Sequence, residues 1–139
     1  MRNLDKEEHR EDFYCMLRPY KLTEKELGYI FGHVGMKGLR KGDFFSKAGM
    51  VCQHTGLLQQ GDLHAHGEDS RGNRRTHKFY HGGVDRIVTS YHSFDVGTAS
   101  TESIEALNDC RLFVITSLDL TRVMGQLPKL RTVEVSFGF

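Results

Sequence analysis

Two groups of residues in this chain could do chemistry. Small hydroxyl-bearing residues gather in Gly97-Thr98-Ala99-Ser100-Thr101-Glu102, a stretch that leads to the apolar Leu112-Phe113-Val114-Ile115. A loop of small residues ahead of buried strands offers backbone N–H groups and hydroxyls, the donors that cradle an anion. The second group is imidazole. His64 and His66 are two residues apart, so on a strand they share a face. If Asp69-Ser70-Arg71-Gly72 closes a tight hairpin, His77 falls opposite His64, and His81 lies further along the same face. Imidazoles gathered in this way can hold zinc, iron, nickel or copper.

Other reactive residues lack a supporting pattern. Arg71-Gly72-Asn73-Arg74-Arg75 is basic but has no interleaved aromatics, and it reads as a solvated hairpin tip. Serine, histidine and aspartate occur without a nucleophile elbow. Cys15, Cys52 and Cys110 have neither zinc-finger nor redox-motif spacing and read as reduced thiols, Cys110 in the core. Nineteen basic and 18 acidic residues leave a net charge of +1, which calls for neither a polyanion nor a membrane surface. Apolar runs are too short for a transmembrane helix. The charged start, Met1 to Cys15, has no apolar signal core, so the expectation is a cytoplasmic protein. Nothing calls for a cofactor.

The elements that must position these groups follow from periodicity. The 139 residues suffice for one domain with a modest core. Lys6 to Leu17 reads as helix. Thr23 and Glu26 form a capping box, and Leu27, Ile30, Phe31 and Val34 share one face of a second helix. From Lys41, glycines recur every few residues between short segments, the rhythm of antiparallel strands and turns. Glu68 to Asn73 is a strong turn signal. Further β stretches cover Val84 to Tyr91 and Ser103 to Ile115. Ser117 is the candidate cap of a last helix, which Gly125 and Pro128 end. The tail alternates Val133, Val135, Phe137 and Phe139 with Thr132, Glu134 and Ser136, a strand pattern. The division is residues 1–38 N-terminal helices, 39–116 β roll, 117–130 helix and 131–139 tail.

In order and spacing these segments resemble the cyclic-nucleotide-binding domain of Crp/Fnr-type transcription regulators, in the form common in Bacteroidetes-type bacteria. The resemblance covers roughly Leu22 to Leu130. It rests on Leu39 to Cys52, on Gly61 and Gly72 in their turns, and on Ser103 to Leu130, where two strands lead into a capped helix and then Leu127-Pro128. It implies a mainly β fold, a double-stranded β-helix or jelly roll with flanking N- and C-terminal helices. It also implies a non-enzymatic sensor in which a small-molecule effector, nucleotide-like or otherwise, repositions a C-terminal helix.

The family's phosphate cassette has a Gly-Glu pair and an Arg followed by Ser or Thr. This chain has Thr89-Ser90 and Ser100-Thr101 at those places. Without the arginine, a buried phosphate loses a charge-assisted hydrogen bond of roughly 1.5–3 kcal/mol. With the ribose contact also lost, affinity falls by roughly two to four orders of magnitude. Glu102 adds a negative charge nearby. The resemblance therefore implies a degenerate effector site at Thr89, Ser90, Thr98, Ala99, Ser100, Thr101 and Glu102. Full-length members continue into a helix-turn-helix of on the order of 80–100 further residues. On that basis the expectation is a truncated regulator with no DNA binding by this chain alone, no membrane partner and room for a homodimer. The alternative is a cupin-like metal-binding jelly roll using His64, His66, His77 and His81. Glu68 lies closer to His66 than a cupin's carboxylate would, and Arg75 would crowd that face.

Overall fold

The glycine-punctuated segments become short antiparallel strands. The computed structural model describes residues 1–82, 87–89 and 97–128. In chain order the strands are β1 (Arg2–Leu4), β2 (Gly35–Leu39), β3 (Phe44–Ser46), β4 (His54–Gln60), β5 (Asp62–Glu68), β6 (Arg74–His81), β7 (Ile87–Val88), β8 (Ser103–Ala106) and β9 (Cys110–Thr116). The helices are α1 (Arg10–Leu17), α2 (Glu24–Phe31) and α3 (Ser117–Gln126). One sheet runs β1-β2-β9-β4-β7 and the other β3-β8-β5-β6. Every pairing within them is antiparallel.

The interior has two parts. Leu39, Phe45, Leu58, Leu63, Ala65, Tyr80, Val88, Ile104, Ala106, Cys110 and Leu112 form the core of the roll. Phe13, Ile30, Phe31, Val34, Met36, Phe113 and Val123 form a second core that the helices share with β2 and β9. Aromatic edges dominate this second core. The Phe13 ring lies 5.1 Å from that of Phe113 in an edge-on arrangement, and 5.3 Å from that of Phe31. Lys6 ties the N-terminal segment to the end of α2. Its Nζ donates to the carbonyls of Phe31 (2.8 Å) and Val34 (3.0 Å), where the helix dipole also favours a cation.

Local expectations hold where a side chain satisfies the backbone nearby. The Thr23–Glu26 capping box is present in full. The Asp69 carboxylate accepts from the N–H groups of Arg71 and Asn73, each at 2.9 Å, and fixes the β5–β6 turn. Those backbone donors, Asn73 first, hold the Asp69 carboxyl below its ordinary pKa.

Three expectations need correction. Residues 1–38 are not helical throughout: β1 and much of β2 lie within them, with Leu4 paired to Met36. The cap of α3 is Thr116, whose Oγ1 accepts from Asp119 N (3.2 Å), so Ser117 is the first helical residue. Gly125 lies inside α3 rather than ending it. The expected tail strand at 131–139, and most of the Val84 to Tyr91 stretch, lie outside the described residues.

Gly61 turns the chain from one sheet to the other with φ +104°. A Cβ there would sit 2.6 Å from both Asp109 O and Cys110 Sγ. Gly72, in the hairpin, has φ +80° but open space around it. Gly72→Ala should therefore lower stability by about 1 kcal/mol, from backbone strain alone. Gly61→Ala should lower it by about 3 kcal/mol, since clash adds to strain. Urea unfolding of the two variants checks the order, and equal losses would contradict the packing described at Gly61.

Candidate functional site

The hydroxyl loop folds against its own chain. Ala99 pairs with Val51 in an isolated bridge. Ser100 N donates to Met50 O (2.9 Å), and Gly49 N donates to Ser100 O (2.8 Å). Ser100 is 5% exposed. Its hydroxyl donates to the Glu102 carbonyl (2.8 Å) and accepts from the Glu102 N–H (3.2 Å). Thr89 is fully buried, with its Oγ1 3.5 Å from the His54 carbonyl and 3.7 Å from Cys52 Sγ. Thr98, Ala99 and Thr101 are exposed. Ser90 lies outside the described residues.

Glu102 has a partner that the sequence did not suggest. Its Oε2 lies 3.1 Å from His77 Nδ1. A shift in register between Ala65 and His66 places this imidazole. His64 pairs with Phe79 and His66 with Thr76, leaving His77 at the irregularity. A Cβ on Gly67 would meet the His77 ring at 3.0 Å, so the ring lies over the Gly67 backbone. Gly67 alternates with His66, and His77 is therefore on the face away from it.

The four-histidine cluster of the alternative reading is thus divided. His81 binds Asp62 instead, Nδ1 to Oδ1 at 2.6 Å, and this contact leads the causes that lower the Asp62 pKa. His64 and His66 remain together, with ring centroids 4.8 Å apart. Glu105 of β8, opposite His64 in register, joins them. One candidate ligand atom from each of His64, His66 and Glu105 lies within 4.8 Å of the others. Arg74 approaches the same point, its Nη2 2.7 Å from both His66 Nε2 and Glu105 Oε1. The trio faces away from the roll core. An open groove of about 650 Å³ runs past it, lined in part by Phe44, His66, Arg74, Thr101 and Glu105.

Glu105 and Arg74 were missed by sequence reasoning as partners of His66. The alternation Ser103-Ile104-Glu105-Ala106 turns Glu105 outward, since Ile104 and Ala106 are core residues. No local signal says that position 105 meets position 66. Burial pushes the His64 imidazole below its ordinary pKa, helped by His66 and opposed by Glu105. Cys52 and Cys110 are buried and Cys15 is exposed. Burial raises the Cys110 thiol to about 11, which fits an unreactive core residue.

No protein-family model matches the chain, and no curated protein matches it in sequence. Solved structures do. By fold, the chain is a cyclic-nucleotide-binding-like domain: mainly β, two antiparallel sheets rolled together, with flanking helices. The catabolite activator protein of Thermus thermophilus is similar with a TM-score of 0.73 at 16% identity, over 84% of this chain and 53% of that one. A cyclic nucleotide-binding domain from Methylobacillus flagellatus KT gives 0.75 at 16%, over 90% and 71%. The sensor domain of the transcriptional regulator DNR from Pseudomonas aeruginosa gives 0.76 at 12%, over 94% and 89%. The chain spans about half the length of the Thermus protein. Among the described residues no helix is long and apolar enough to cross a membrane.

His54, which borders the buried Thr89 hydroxyl, sets a pH dependence. Burial lowers its pKa from 6.5, outweighing a hydrogen bond to the Phe45 carbonyl. The unfolded chain then takes up this proton more readily than the folded one. Stability is therefore full above about pH 6.5 and falls as pH drops through the interval below it, levelling under the folded pKa. Urea midpoints measured from about pH 7.5 to 5 should show this loss, and His54→Gln should lessen it, with His64, whose pKa burial also lowers, contributing the remainder. An unchanged slope in the variant would assign the dependence to other groups.

Proposed function

We propose that this chain is a non-enzymatic sensor domain of the Crp/Fnr kind whose phosphate cassette no longer receives a cyclic nucleotide through an arginine. The fold shared with sensor and cyclic-nucleotide-binding domains supports the sensor role. One observation carries the degenerate reading. Ser100, at the place the resemblance gives to the arginine, is buried, and its hydroxyl closes on the backbone of Glu102. The N–H groups of Ser100 and Glu102 are also engaged within the chain, so the loop offers a phosphate neither a cation nor these two donors.

The Glu102 carboxylate is held by His77, which moderates the repulsion expected of it without supplying a fixed positive charge. An effector, if nucleotide-like, would lie between the roll and the segments around Thr89 and Thr98 to Glu102, with Thr98 and Thr101 the exposed hydroxyl-bearing residues among them.

Calorimetric titration with cyclic AMP tests this reading. The wild-type chain should show no binding. Combining Thr89→Gly, Ser90→Glu and Ser100→Arg should restore it, with a gain of roughly two to four orders of magnitude in affinity. Tight binding by the wild-type chain, with Thr101→Ala weakening it, would overturn the degenerate reading and keep the site. Tight binding unaffected by Thr101→Ala would overturn both.

A further inference from the structure

The outer face of the β3-β8-β5-β6 sheet carries a group of side chains that the sensor role does not use. We propose that His64, His66 and Glu105 form a binding site for a divalent transition-metal ion of the zinc type. Their candidate ligand atoms already lie within 4.8 Å of one another. Ligands around a tetrahedral ion with bonds of about 2.0–2.2 Å stand about 3.3–3.6 Å apart. His66 Nε2 and Glu105 Oε1 are 3.0 Å apart. Small side-chain rotations therefore suffice to close the set, with the backbone held by the pairing of β5 with β8.

Without an ion, His66 Nε2 and Glu105 Oε1 share the Arg74 guanidinium while standing 3.0 Å from each other. His66 Nε2 is 3.0 Å from a carboxylate oxygen, an acceptor, and 2.7 Å from the Arg74 guanidinium, a donor. A single ring nitrogen serves one of these partners and opposes the other. If it bears a proton, it meets the N–H of Arg74. If it bears a lone pair, it meets the lone pairs of Glu105. An ion coordinated by both His66 and Glu105 removes the conflict and frees Arg74, whose side chain is 55% exposed and able to swing into solvent.

His64 supplies an independent sign. It is 9% exposed, yet neither ring nitrogen has a hydrogen-bond partner among the described residues. Its nitrogens keep contact with solvent, since Thr55 Oγ1 is the one fully buried side-chain polar atom left unpartnered among the described residues, so they are open to an incoming ion. One of its nitrogens faces the other two ligands. Coordination would satisfy it.

The donor set selects the ion. Two imidazoles and one carboxylate suit zinc, cobalt or nickel, whereas magnesium and calcium require oxygen ligands throughout. Three protein ligands leave a position open, and the groove past His66 and Glu105 gives water or a small anion access to it. His77 and His81 take no part, being held by Glu102 and Asp62.

The test is titration of the untagged chain with Co²⁺, read by its visible d–d absorption, followed by displacement with Zn²⁺. One equivalent of cobalt should give the intense spectrum of a four-coordinate site, and zinc should abolish it. Glu105→Gln and His66→Ala should each weaken binding by about tenfold or more. Arg74→Gln should tighten it by about tenfold, because a competing positive charge is removed. His64→Gln should also weaken binding, with circular dichroism reporting whether it still folds. The Glu105 and Arg74 variants keep the test decisive if it does not. No spectrum with stoichiometric cobalt would overturn the proposal. So would a thiolate-to-cobalt charge-transfer band, which would place the ion on Cys15, or wild-type affinity in both Glu105→Gln and His66→Ala.

Discussion

The alternation of side chains along β9 is the constraint on which the rest of this structure depends. Leu112 points into the core of the roll and Phe113 into the core shared with the helices, and each is at most 1% exposed. The strand lies between β2 and β4, and it leads directly into α3 through the Thr116 cap. A slip of one residue would exchange the two sets of side chains and spoil both cores together. Neither core is large. Coupling them through one strand makes the sheet and the helices a single cooperative unit, so a displacement of α3 is felt within the roll.

The other sheet is arranged differently, and that difference locates its chemistry. Its inner face contributes Phe45, Leu63, Ala65, Tyr80, Ile104 and Ala106 to the roll core. Its outer face carries Phe44, Glu105, His64 and Phe79 in one row of cross-strand neighbours. Phe79 stacks on His64, with ring planes 19° apart, and also on His81. The irregularity at His66 then separates the histidines by face. His66 stays with His64, while His77 turns toward Gly67 and Glu102. One extra residue in β6 thus decides that the carboxylate near His66 is Glu105 and that the imidazole near the hydroxyl loop is His77.

This irregularity marks the limit of what could be read from the sequence. The fold was legible because its signals are local and repeated. Thr23 and Glu26, three residues apart, cap a helix, Asp69 closes its own turn, and alternating residues in β5 declare their faces. β2 was missed because Gly35 and Gly38 dilute its pattern, and the latter is tightly approached by Leu4 from β1. The site was legible in part. His64 and His66 share a face by spacing alone. Register across a hairpin depends on whether a bulge is present, and nothing in Arg75-Thr76-His77-Lys78 announces one. Glu105 is 39 residues from His66, and only the pairing of β8 with β5 brings them together.

The hydroxyl loop and the histidine face also differ in how completely they are satisfied, and this bears on what each expects to bind. An arginine at position 100 without an anion would place a guanidinium where the present side chain is 5% exposed. Burying such an unpaired charge is strongly unfavourable, so a cassette of that kind gains stability from occupancy. Serine removes the dependence. Its hydroxyl pairs with the Glu102 backbone and its N–H with Met50 O, so these groups are satisfied without a ligand. On the outer face the balance is reversed. His64 forms no hydrogen bond among the described residues, and one nitrogen of His66 stands between a donor and an acceptor that it cannot both satisfy. In this chain the Ser100 hydroxyl closes on its own backbone, and the side chains open to a further ligand atom lie on the outer face of the roll.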